Sequence, residues 1–437
     1  MVEKPALLSC DPGTVVSRSS GRPNQLPRSD RSRATSRGLG AAWRQASIVA
    51  AVALSLTSLK YFAFPYVWIG LVWSAVLFSG TFVFRRDALR IISFNVACAC
   101  LALTILEAYL WMAPALQTQH VHTYSEGYRR TDDILGGAPQ KGFTARSTRR
   151  IGEKLLYDVT YSIDSDGLRK APPDRGDGIE GCVLFFGGSF TFGEGVNDDE
   201  AMPYVVGVET DGKYRTYNFG FHGYGPHHML SALQHNLVDR IVDCDPTHVI
   251  YQALPHHVAR AAGLVPFHKH APRYRLAPNG RVVFHGHFDD EEAVHHGEVS
   301  YVLKDLWRLT ATQFSKSSIY KKISDRYRKP NDRDVELYLQ IVHAAREFTR
   351  TQYPRSEFHI LLWEDLLEGQ HLFEKVHEGL KKMDMRIHGV PEILSGYRND
   401  STMYALAPED RHPNPLAHRL IAEHVAAAIL GKWSVAR

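Results

Sequence analysis

Val183-Leu184-Phe185-Phe186-Gly187-Gly188-Ser189-Phe190-Thr191-Phe192-Gly193-Glu194-Gly195-Val196 runs from four apolar residues straight into a glycine-flanked serine. The apolar run predicts a buried strand. The glycines predict a sharp turn that leaves the Ser189 hydroxyl exposed among backbone N–H donors. Far downstream stands Asp410-Arg411-His412-Pro413. A carboxylate two residues before an imidazole supplies a base together with the partner that orients it. Ser189, His412 and Asp410 are therefore the candidate nucleophile, base and acid of a Ser-His-Asp system whose parts meet only in the fold.

The pattern around this turn alternates short apolar runs with helical periodicity, as a parallel sheet covered by helices does. Strands are predicted at Cys182–Phe186, Arg215–Phe219, His248–Leu254 and Phe358–Trp363. Helices are predicted at Pro226–Val242, Asp334–Gln352, Gln370–Met383 and Pro415–Leu430. Arg273–Arg275 and Arg281–His285 flank Pro278-Asn279-Gly280, which predicts an antiparallel hairpin within an insert around 264–330. In that insert Leu303, Leu306, Trp307 and Phe314 recur near helical spacing and are followed by Lys316, Lys321, Lys322, Arg326, Arg328 and Lys329. Such a segment suits a lid, a helix on anionic lipid, or a helix covering the sheet. Tyr161–Arg169 reads as a strand entering a turn, inside a lead-in over 115–175.

Three blocks in this order resemble the SGNH (GDSL-type) hydrolase family. Phe186–Gly193 resembles the first block, whose serine is the nucleophile. Asn218-Phe219-Gly220-Phe221-His222-Gly223-Tyr224-Gly225 resembles the second, in which the glycine matching Gly223 lends an oxyanion-hole N–H. Asp410–His418 resembles the last, which supplies acid and base. The resemblance implies a flavodoxin-like three-layer α/β sandwich with a central parallel sheet over 176–435. It implies an oxyanion hole built from Ser189, Gly223 and a third donor. Two departures stand out. Gly188 replaces the Asp that often precedes the serine, and the third block's Asn is absent from Leu254-Pro255-His256-His257-Val258-Ala259-Arg260. His256 or His257 donates in its place, with His256 the first choice, or the hole rests on two backbone N–H groups. His257 and Arg260 are candidate substrate-binding residues.

A chain of 437 residues leaves room for more than a catalytic domain of about 260. Residues 1–40 are rich in Ser, Pro, Gly and Arg without apolar period and read as a disordered basic tail. Over 41–114 lie three apolar stretches, Ala46–Phe64, Tyr66–Phe84 and Ile91–Ala113. Nineteen residues rising about 1.5 Å each span roughly 28 Å, near the thickness of a bilayer's hydrocarbon. These predict a three-helix membrane anchor. Arg85, Arg86 and Arg90 then share the cytoplasmic side with the Arg-rich tail, and everything after Pro114 lies outside. Glu107, inside the third stretch, is close enough to its outer end to reach the interface.

The net charge of +4 calls for no nucleic-acid partner. Five cysteines make no disulfide framework, and Cys182 and Cys244 are expected as buried free thiols. Of the 23 histidines, many fall between His222 and His296, including His268-Lys269-His270 and His285-Gly286-His287. Without a Cys pair or a His-Glu-x-x-His helix, they are expected to be solvated or substrate-facing rather than zinc ligands. Neither metal nor organic cofactor is expected. These observations point to an extracytoplasmic serine esterase that cleaves an acyl (for instance acetyl) oxygen ester, with a glycan or envelope polymer as the substrate class its setting suggests. Two alternatives remain open: a glycan O-acyltransferase using the same triad, and a non-catalytic glycan-binding or assembly protein on a decayed hydrolase fold.

Overall fold

The computed structural model describes residues 46–58, 65–116, 120–176, 178–265, 268–290, 317–327, 329–364 and 370–431. The tail, the Leu303–Phe314 pattern, Lys316 and Arg328 lie outside them. The chain divides into two units, Met1–Leu106 and Glu107–Arg437. In the first, two helices are long and apolar enough to cross a membrane: Tyr66–Val83 and the longer Asp87–Ala113, which runs on into the second unit. The first expected span is described only as the shorter helix Ala46–Ser58. Small residues let these helices approach closely. A Cβ on Gly70 would collide with Thr104, and Ser93 Oγ donates to the Leu77 carbonyl at 2.5 Å.

Glu107 opens the second unit. It is buried and caps the helix Ser318–Tyr327. Its carboxylate accepts from Ser317 Oγ at 2.9 Å and from the N–H groups of Ser318 and Ile319 at 2.6 and 2.9 Å.

The lead-in is itself folded. β1 (His120–Tyr124), β4 (Thr144–Ile151) and β5 (Lys154–Ser162) form an antiparallel sheet, and β2 (Arg129–Asp132) pairs with β3 (Gly136–Pro139). Alternate residues Tyr157, Val159 and Tyr161 of β5 are buried with Phe192, Phe221 and Tyr224, so one face of this sheet packs on the loops that follow the main-sheet strands.

The main sheet uses β6 (Gly181–Phe186), β7 (Tyr214–Asn218), β8 (Pro246–Ala253), β11 (Glu357–Leu362) and β12 (Arg386–Gly389), with the antiparallel hairpin β9 (Pro272–Leu276) and β10 (Val282–His287) inserted between β8 and β11. All its pairs are parallel, in the order β12-β11-β8-β6-β7. The first strand thus has the second on one side and the third, fourth and fifth on the other. This flavodoxin-type winding leaves a switch point beyond the C-terminal end of β6.

Every residue of β6 is buried, and its side chains alternate between two cores. Leu184 and Phe186 pack with Leu230, Tyr338 and Val342, under the helices Pro226–Gln234 and Asp332–Gln352. Val183 and Phe185 pack with Met202, Val206 and Ile421, under the helices Met202–Glu209 and Pro415–His424. Burying each of these side chains stabilises the fold by about 1.5–3 kcal/mol, which fixes the strand's register through the layers. The four strands expected from the sequence match β6, β7, β8 and β11 within two residues at each end.

The expectation of free thiols at Cys182 and Cys244 is overturned. The two are disulfide-bonded, with Cα atoms 6.2 Å apart. Cys182 lies on β6 opposite Pro246 of β8, and Cys244 stands two residues before that proline, so the parallel pairing of these strands brings the thiols together. Alkylation of the unfolded, unreduced chain is expected to spare both residues until a reductant is added, read by peptide mass. Replacing both by Ser is expected to lower the stability of this unit by about 2–4 kcal/mol, read from denaturation midpoints.

Candidate active site

At the end of β6 the chain turns into the four-residue helix Ser189–Phe192. Gly188 is needed for close approach. A Cβ there would fall 2.7 Å from Arg260 Nη1 and 3.0 Å from the Tyr224 carbonyl oxygen. Gly193 ends the helix in the left-handed conformation (φ 85°), and its N–H and that of Glu194 both reach the Ser189 carbonyl at 2.9 Å. Arg169 holds this turn from beneath. Its Nη1 donates to the carbonyls of Phe192 and Gly193 at 2.6 and 2.5 Å, and Nη2 to that of Val196 at 2.7 Å. The guanidinium is 2% exposed, lies over the rings of Tyr161 and Phe192, and pairs with Asp198 at 3.1 Å.

β13 (Ala405–Ala407) and β14 (Asp410–Pro413) form a short antiparallel pair. Asn414 then caps the helix Pro415–His424, accepting from the Ala417 N–H at 3.0 Å. In an extended segment residues i and i+2 face the same way, so Asp410 and His412 share a side. Asp410 Oδ1 stands 2.6 Å from His412 Nδ1 and also accepts the His412 backbone N–H at 3.2 Å. His412 Nε2 lies 2.9 Å from Ser189 Oγ. With a carboxylate at Nδ1, the proton belongs on that nitrogen and Nε2 offers its lone pair to the serine. Arg149 of β4 places Nη1 2.8 Å from Asp410 Oδ2, an ion pair not aligned as a hydrogen bond.

The sequence reading missed a second carboxylate. Glu194, 6% exposed, sits in the same glycine-rich turn with Oε2 3.7 Å from His412 Nε2 and 2.5 Å from His222 Nδ1. His222 Nε2 meets the Tyr128 hydroxyl at 2.9 Å. His122 Nδ1 lies 3.7 Å from Glu194 Oε1, and its Nε2 meets the Tyr157 hydroxyl at 2.8 Å. The Gly193-Glu194-Gly195 spacing beside the serine was the available signal. Arg149, Arg169, Tyr128 and Tyr157 come from the lead-in, where nothing in the local pattern marks them.

Electrostatics follow from these contacts. Burial penalises a charge on Glu194, yet the imidazoles of His412, His222 and His122 outweigh it and hold the carboxyl well below the ordinary range. Burial likewise opposes charge on His412, but Glu194 and Asp410 prevail and raise it above the usual histidine value. Asp410 is kept low because its bond to His412, with help from Arg149, overcomes burial. His222 is pushed down by burial against the pull of Glu194, and His122 falls to about 4, chiefly through burial.

An open cleft of about 430 Å³ is lined by Ser189, His412, His256 and Arg260. Arg260 Nη1 also donates to the Tyr224 carbonyl at 2.7 Å. Gly223 (φ 80°) lies in the loop after β7, with the His268 ring where a Cβ would stand. The expectation that His257 binds substrate is corrected. It is 0% exposed behind the Gly188 turn, with Nδ1 2.8 Å from the Tyr251 hydroxyl, because its short helix turns this position into the core. His270 and His287 stack at 4.4 Å and face Asp289 and Asp290 at 2.9 and 3.4 Å.

No family model matches the chain, and no curated protein does. Solved structures similar to it include one described as a lipolytic protein of the G-D-S-L family from Desulfitobacterium hafniense DCB-2. That pair is 13% identical, with 56% of this chain and 98% of that one covered and a TM-score of 0.33. An acetyl-xylooligosaccharide esterase from Geobacillus Stearmophilus is 14% identical, with 60% and 99% covered and a TM-score of 0.34. The psychrotrophic esterase EstA from Pseudoalteromonas sp. is 11% identical, with 58% and 97% covered and a TM-score of 0.32. At these values the chemistry is read from this chain's own side chains.

Arg169→Met removes side-chain donors from three buried carbonyls and breaks the pair with Asp198, which keeps the Ser162 N–H. It is expected to cost about 3–5 kcal/mol of stability, measured by urea denaturation.

Proposed function

We propose that this protein is a membrane-anchored serine esterase that hydrolyses an acyl oxygen ester through an acyl-serine intermediate. One observation carries the proposal: Ser189 Oγ, His412 and Asp410 form a continuous hydrogen-bonded chain at the switch point of the sheet, at 2.9 and 2.6 Å. His412 Nε2 takes the serine proton as Oγ attacks the ester carbonyl, then returns it to the leaving alkoxide. Asp410 fixes the tautomer and stabilises the imidazolium. Ser189 opens a helix, so its first-turn N–H groups have no intrahelical partner and can face the oxyanion. Gly223 N–H and His256 are the proposed further donors, and Arg260 the proposed substrate contact. The decayed-site alternative has no such observation behind it, since all three side chains are in place.

A small acyl group such as acetyl on a glycan is the proposed substrate. Phe190 and Trp363 form an aromatic pair at 5.0 Å beside Glu364, Arg260 and Arg411 in the cleft, a mixture suited to a sugar face and its hydroxyls. An extracytoplasmic position is proposed from Arg85 and Arg86 before the second long apolar helix and Arg90 in its first turn, and the Cys182–Cys244 bond suits an oxidising compartment. Labelling with a fluorophosphonate in intact and permeabilised cells tests nucleophile and sidedness together.

Ser189→Ala is expected to lower turnover of an acetyl-ester reporter by about 10⁴-fold or more. Retained turnover would remove the nucleophile. A pH profile tests the role of Glu194. Its negative charge favours the imidazolium, so Glu194→Gln lowers the His412 pKa and leaves more free base under acidic conditions. The acid limb of kcat/KM is therefore expected to move to lower pH; an unmoved limb would show that His412 does not sense this carboxylate.

A further inference from the structure

At the opposite end of the sheet from Ser189, the opening residues of β8 and β11 gather a second cluster. Glu357 pairs in register with His248 on the neighbouring strand, and His359 follows two residues later on the same face as Glu357. Each of the three offers one ring nitrogen or carboxylate oxygen, and these atoms lie within 4.8 Å of one another. Behind them runs a chain of imidazoles. His359 Nδ1 is 3.1 Å from His388 Nε2, and His388 Nδ1 is 3.0 Å from His424 Nε2.

We propose that His248, Glu357 and His359 bind a divalent ion of the zinc class, outside the catalytic centre. The reason lies in the tautomers. When His359 Nδ1–H donates to His388 and His388 Nδ1–H donates to His424, His359 Nε2 is left with a bare lone pair. That nitrogen belongs to a side chain 5% exposed, forms no hydrogen bond, and stands 3.3 Å from the acceptor-only Glu357 Oε2. Two facing acceptors repel each other, and a cation between them turns the repulsion into two bonds. The imidazole chain then plays the usual outer part, fixing the ring and its tautomer from the far nitrogen. Two His and one carboxylate leave a fourth tetrahedral position for water. Ligands about 2.0–2.2 Å from such an ion lie roughly 3.4 Å apart, so the group closes by small rotations of exposed Glu357 and half-buried His248. Arg386 also pairs with Glu357, so the ion shares this carboxylate with the guanidinium or displaces it.

Such an ion ties β8 to β11 and takes no part in acyl transfer. The test uses the full-length, untagged chain in detergent, stripped with chelator and titrated with ZnCl₂. Bound metal is counted after gel filtration, and thermal midpoints are read in parallel. One zinc per chain is expected, with a raised midpoint. Glu357→Gln and His248→Asn are each expected to weaken binding by about 100-fold and abolish the rise, while leaving reporter hydrolysis unchanged. Zinc stoichiometry and midpoint rise preserved in both variants would put the ion elsewhere, among the His268–His287 histidines for instance, and overturn the proposal. So would the absence of any zinc-dependent change in the wild type.

Discussion

The guanidinium of Arg169 is the constraint on which the candidate site depends. It reaches from the end of the lead-in into the carbonyls of the nucleophile turn, while its own backbone bridges to Asn218 at the end of β7 and to Ile163. Carbonyls near a helix C-terminus carry partial negative charge, and a buried cation there is favourable. One residue thus joins the end of the lead-in, the edge of the parallel sheet and the turn that presents Ser189. Arg149, from the same lead-in, pairs with Asp410 at the far end of the triad. The lead-in is part of the site's foundation.

His412 stands between two carboxylates of different kinds. Asp410 touches Nδ1 and sets orientation, whereas Glu194 acts on the Nε2 side across 3.7 Å. Glu194 keeps its charge although buried, because the imidazoles of His412, His222 and His122 stand beside it. The base is consequently more reluctant to give up its proton than an Asp-His pair alone would make it. That favours the imidazolium at the stage when the leaving alkoxide needs a proton, and disfavours the free base in mild acid.

Legibility in the sequence followed the strength of local patterns. β6, β8 and β11 hold short apolar runs whose burial was readable, and β7, Tyr214–Asn218, was readable by its place before the glycine-rich Phe219–Gly225 segment. β12 was missed because Arg386–Gly389 is four residues long with one strongly apolar member, Ile387. The helix expected over Pro226–Val242 stops at Gln234, where Asn236 takes a left-handed conformation (φ 56°) that ends helices. Ser189, His412 and Asp410 were visible because motifs carry them. Glu194 had only its flanking glycines to mark it, and Arg149 nothing, because a contact across the fold to His412 or Asp410 leaves no mark on its own neighbourhood. The Cys182–Cys244 pair depended on which strands adjoin, a fact that spacing alone does not contain.

The wide separation of Ser189 from His412 also bears on biogenesis. Chains emerge from the N-terminus, so the serine and its supporting strands exist well before the segment that bears the base. Until β14 docks, the hydroxyl has nothing to draw off its proton and stays inert. A nascent polypeptide therefore carries no reactive group, and chemical competence arrives only when β14 joins the domain.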